Sequence, residues 1–93
     1  MYALCLQLDV TSLDADAARR LPDDLLSRAP GLDIRGEIWV TVDGDEAVGF
    51  VLFESEDAAR TAAGHFVVGQ QVAAPTSGAT IRSVRVGAVV AQR

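Results

Sequence analysis

One histidine, one tryptophan and one cysteine stand among 93 residues, and each is a type that can carry chemistry. Histidine is the side-chain type suited to proton transfer near neutral pH, so His65 is the natural candidate for it. It follows Gly64 near the end of a helical stretch, so its other reading is a surface histidine favoured by that helix's C-terminal dipole. Trp39 lies among Arg35, Glu37 and Thr41. Its indole can floor a cavity for a flat ligand, with Glu37 as a second acid–base candidate, or it can anchor a subunit interface, where tryptophan is enriched. Cys5 reads as a small hydrophobe of a central strand, since nothing near it in sequence supplies the positive setting of a reactive thiol.

Gln7 and Asp9 share the Ala3/Cys5 face of the first strand. Together with Glu37 and an arginine of the last strand, Arg82 or Arg85, they are either the lining of a polar pocket or a set of inter-subunit ion pairs. A carboxylate whose pKa is raised by burial would mark the pocket. Asp14, Asp16, Asp23 and Asp24 match no EF-hand spacing and read as a solvated helix face. No cysteine pair or histidine cluster has metal-ligand spacing. The residues imply neither metal nor cofactor.

Eight arginines face thirteen carboxylates, for a net charge of −5. That balance disfavours nucleic acid and anionic membrane as partners, because no basic patch is there to release counterions. Lysine and asparagine are absent and alanine occurs fifteen times, a usage expected of GC-rich bacterial coding. The lone cysteine precludes an intrachain disulfide. No signal peptide and no apolar run near the ~20 residues of a membrane span are apparent, so the expected location is the cytoplasm. Residues 1–93 read as one domain, small enough for oligomerisation to supplement its core.

These residues are positioned by a short series of elements. Residues 2–10 alternate as a strand, and Thr11 or Ser12 can cap the helix after it. Leu13, Ala17, Leu21 and Leu25 form a helical stripe that Pro22 interrupts, as a kink or as the start of a second helical piece. "APGL" ends it. Residues 35–42 and 47–53 are strands joined at Asp43-Gly44, a hairpin signal. Ser55, with Glu56 and Asp57 in the first turn, caps a helix whose inner side is Ala58, Ala59, Ala62, Ala63 and Phe66. Residues 69–80 read as loop and 81–90 as the last strand.

The order is β-α-β-β-α-β, the split pattern of an α+β, ferredoxin-like fold. It gives a four-stranded antiparallel sheet with the first and third strands central and both helices on one face. Ala3, Cys5, Trp39 and one apolar set of the third strand are then expected on the other face, which calls for a homodimer packed sheet to sheet. The hairpin leaves two registers open. A three-residue turn pairs Ile38 with Phe50 and Trp39 with Gly49; a four-residue turn shifts every pairing to the other face.

"PGL" at Pro30 to Leu32, the hairpin after it, and "LFESEDAARTAA", residues 52–63, resemble the dimeric α+β barrel superfamily, particularly its antibiotic-biosynthesis-monooxygenase-like branch. The resemblance implies a homodimer and a cofactor-independent monooxygenase-like or isomerase-like enzyme acting on a small molecule, aromatic ones included. Members that degrade haem use an asparagine, which this chain lacks. The alternative is a non-catalytic ligand-binding or homodimeric assembly module. An enzyme is expected to gather His65, Trp39 or Glu37 around a closed cavity.

Overall fold

In the computed structural model, which describes residues 1–11, 13–72 and 78–93, the alternating N-terminal run forms β1 (Tyr2–Asp9). Leu4, Leu6 and Leu8 are buried on one side, while Cys5, Gln7 and Asp9 on the other are half-buried. The first helix, α1 (Ala15–Leu26), begins at Asp14, whose carboxylate accepts the Ala17 N–H at 2.7 Å. Thr11 does not cap it, because the helix starts four residues later; the Thr11 N–H and hydroxyl instead donate to Asp9, at 3.0 and 2.6 Å. Ser12, the other expected cap, lies outside the described residues. α1 runs unbroken through Pro22, and Leu21 and Leu25, one turn apart, bury its apolar stripe. Gly31, at φ 81°, turns the chain after the helix, a conformation that costs glycine little.

β2 (Gly36–Val42) and β3 (Glu46–Phe53) form a hairpin with the three-residue turn. Asp43 (φ 54°) and Gly44 (φ 77°) both take the left-handed conformation that tight hairpins need. Ile38 pairs with Phe50 and Trp39 with Gly49. The next helix, α2 (Glu56–Ala63), is capped by Ser55, whose hydroxyl accepts the Ala58 N–H at 3.1 Å. Ala59, Ala62 and, beyond the helix, Phe66 are buried.

The stretch expected to be loop, residues 69–80, contains a further strand, β4 (Gln71–Val72), and the last strand, β5 (Ala79–Ala88), begins and ends earlier than expected. The Gly69 N–H donates to the Ile81 carbonyl at 2.7 Å, and the Ile81 N–H to the Gln70 carbonyl at 2.9 Å, which seats β4 against β5. Two residues are too few to show an alternating pattern. Residues 73–77 of that stretch lie outside the described residues.

Among the described residues the protein is therefore α+β, with two helices and a curled antiparallel sheet of five strands rather than four, in the order β2-β3-β1-β5-β4. β1 and β3 are interior, as expected, but β5 is not an edge, because β4 flanks it. One apolar cluster joins Leu4, Leu6, Leu8, Val51 and Phe53 of the sheet to Leu21 and Leu25 of α1 and Ala59 and Ala62 of α2. Both helices thus cover the same face. Each fully buried leucine or phenylalanine contributes about 1.5–3 kcal/mol.

Candidate functional site

β2 has two faces with different neighbours. Glu37, Trp39 and Thr41 pair with Val51, Gly49 and Ala47, which in turn pair with Leu4, Leu6 and Leu8. Trp39 therefore lies on the helix-covered face, not on the open face where the sequence pattern put it. The reason is Gly49. A Cβ there would sit 2.3 Å from the indole, so the bare backbone makes the space the ring occupies. Ile38, Val40 and Val42 are left on the open face, 57%, 46% and 39% exposed. The most regular apolar alternation in the strand thus points away from the core.

On the covered side, Trp39 lines a groove of about 660 Å³ between α1 and the β2–β3 hairpin. Val10, Leu13, Ala18 and Leu21 contribute apolar walls, and Asp14 and Arg19 are the charged residues of the lining. Asp14 is engaged with the first turn of α1, and Arg19 pairs with Asp16 at 2.9 Å. The indole N–H donates to the Glu37 carboxylate at 3.0 Å, which fixes the ring's direction. The volume suits a small molecule, and the lining suits an apolar one.

Gln7, Asp9 and Arg85 do share a face, the open one, together with Cys5, Ser83, Glu46, Val48 and Phe50. Glu37 does not join them, because it stands on the covered side with Trp39. Asp9 is tied up locally. The Thr11 hydroxyl and N–H, and the Arg82 guanidinium at 2.9 Å, hold its carboxyl at about 2, below the usual 3.8. This is the opposite of a carboxylate raised by burial. Ser83 faces Gln7 and Ile81 faces Leu8, leaving Arg82 as the extra residue of a β-bulge and so free to reach Asp9. Gln7 donates to Glu46 at 3.0 Å. Burial pushes the Cys5 thiol up, against the opposing pull of Arg85. A depression of about 380 Å³ on this face is lined by Cys5, Gln7, Phe50, Ser83 and Arg85, among others.

His65 is exposed just past the end of α2 and lines neither the groove nor the depression. The residues expected to converge thus divide into three places: Trp39 with Glu37, Gln7 with Asp9 and Arg85, and His65 alone. Sequence reasoning missed Val10, Leu13 and Arg19 as groove residues. Only the path of α1 brings them to Trp39, although the glycine opposite the indole hinted at a crowded face. Among the described residues no helix is long and apolar enough to cross a membrane, and no cluster of three metal-ligating side chains occurs. No protein-family model, curated protein or solved structure matches the chain.

Proposed function

We propose that the protein is a homodimeric binding module of ferredoxin-like, α+β barrel type. Its subunits pack sheet against sheet, and its ligand is a small, flat, largely apolar molecule held in the groove beside Trp39. The observation that carries this is the division of labour on β2. Alternate residues supply an exposed aliphatic surface on one side and the aromatic wall of a groove on the other.

A second copy suits the open face by size as well as by chemistry. Strands of seven to ten residues, at about 3.4 Å per residue and about 4.8 Å apart, make a face of roughly 25 by 20 Å. With side-chain relief, that approaches the ~800 Å² per partner of a standard interface. The face also carries both signs of charge, Glu46 and Arg85, so it can complement itself. In the monooxygenase-like alternative the same groove would be a reaction chamber, but the acid–base candidate Glu37 is not in its lining and touches it only through the hydrogen bond it accepts from the Trp39 indole. The groove's own charged residues, Asp14 and Arg19, are already engaged with α1, which favours binding over catalysis.

Native mass spectrometry and fluorescence test the two halves separately. A dimer at low micromolar concentration is expected. Trp39 is the only tryptophan, so its emission reports the groove directly. Titration with 1-anilinonaphthalene-8-sulfonate should quench it, saturating at one probe per chain. A monomer would refute the assembly, and unquenched Trp39 would refute the groove.

A further inference from the structure

We infer that Arg85 and Glu46 set the register of the dimer, each pairing with the other residue on the facing subunit. This rests on the dimer proposed above. Arg85 stands on the open face opposite Cys5, and among the described residues no carboxylate lies within ion-pair distance of it. Its neighbour Arg82 is satisfied by Asp9. The adjacent residues on its face are Ser83 and Gly87, and a Cβ on Gly87 would meet nothing within 4 Å. Arg85 itself is exposed. A second sheet laid over this face would strip its water, and an arginine so covered needs an anion from the facing surface.

The open face has a negative corner to offer. Glu46 lies beside Asp9, on the far side of β1 from β5. Arg85 lies four residues along the strand from that corner, level with Cys5. Laid flat at about 3.4 Å per residue and about 4.8 Å per strand, the two are roughly 17 Å apart, with Gln7 midway between them. Two stacked sheets are related by a two-fold axis in the plane between them. When that axis runs perpendicular to the Arg85–Glu46 line, each Arg85 lies over Glu46 of the partner subunit, twice per dimer.

That axis has two consequences. It runs from Gln7 between Val48 and Phe50 to Ile38, so the most exposed aliphatic of the face meets its own copy on the axis. It also makes the strands of the two sheets cross at roughly 70°, close to the orthogonal class of sheet packing. The axis that the charge contact requires thus also brings apolar side chains together.

Charge exchange tests this. Arg85→Glu and Glu46→Arg each place like charges together twice, and each should raise the dimer Kd by about tenfold or more. Arg85→Gln should weaken it in the same direction by less. Mixing R85E with E46R makes both pairs opposite again, so heterodimers should form at near wild-type Kd while neither variant self-associates well. Sedimentation gives the Kd values, native mass spectrometry separates the heterodimer by mass, and circular dichroism verifies the fold of each variant. A dimeric wild type whose Kd is unchanged by the single substitutions, or a mixture with no preference for heterodimer, overturns the pairing and leaves the dimer standing. A monomeric wild type overturns both.

Discussion

Adding one methyl group at Gly49 probes the contact on which the groove depends. In Gly49→Ala the new Cβ would lie 2.3, 2.4 and 2.7 Å from three carbons of the Trp39 indole. Carbon–carbon contacts settle at about 3.5–4.0 Å, so the ring has to retreat by more than about 1 Å. Overpacking of this kind costs about 1–3 kcal/mol. The backbone at Gly49 is not among the positive-φ positions, so alanine restores about 0.4–1 kcal/mol by restricting the unfolded chain. The net loss is up to about 2.6 kcal/mol and about 1.3 kcal/mol at the middle of these ranges, and each kcal/mol lowers Tm by roughly 4–8 °C in a domain of this size. The same change made in a Trp39→Ala background meets no ring and should be neutral or slightly stabilising. Urea unfolding followed by far-UV circular dichroism, at one fixed protein concentration because self-association would add stability, measures all four proteins of the cycle. An equal cost of Gly49→Ala in both backgrounds would refute the placement of the indole over Gly49, and with it the groove's aromatic wall.

Local contacts give two further outcomes. The folded-state pKa of Asp9 lies below its unfolded value, so its contribution is fully present above about pH 4 and is lost as pH falls toward its folded value of about 2. Asp9→Asn should therefore flatten the fall in stability between those pH values, and an acid-unfolding curve as steep as the wild type's would show that the Thr11 and Arg82 contacts do not hold in solution. Ser55→Ala removes the hydroxyl that accepts the Ala58 N–H and should cost about 1 kcal/mol. A thermal melt that moves by less than a degree would mean that water replaces the cap.

The sheet was legible where chemistry and position agreed. β1 and β3 announced themselves as interior strands by apolar residues on both faces, Ser55 with Glu56 and Asp57 marked the start of α2, and Asp43-Gly44 marked the hairpin. The side on which β2 placed its aliphatics was not legible. Alternation says which residues share a face, and it leaves open whether that face meets the core or a surface that another subunit can cover. At β2 the usual assignment is inverted, since Ile38, Val40 and Val42 face outward while the larger Trp39 faces in over a glycine. The cap of α1 was missed for a related reason. Thr11 is a good capping residue, but α1 begins only at Ala15, where Asp14 stands next to the first turn and its carboxylate accepts the Ala17 N–H. The groove depends on where α1 crosses the sheet, which no local pattern records.

β1 is interior to the sheet, yet both strands that flank it are made much later, at residues 46–53 and 79–88. The β2–β3 hairpin is the one long pairing between consecutive elements, and such hairpins close in about 1–10 μs. A newly made chain therefore has a greasy first strand with no neighbour until the hairpin is complete, and an unfilled edge on that strand until β5 arrives. Assembly therefore departs from the order of synthesis at its first step, with the hairpin in the middle of the chain formed before β1 can dock onto it and β5 closing the sheet last. Long-range pairing of this kind is slow, and the interval during which β1 waits is when the protein most needs to be kept from its own copies.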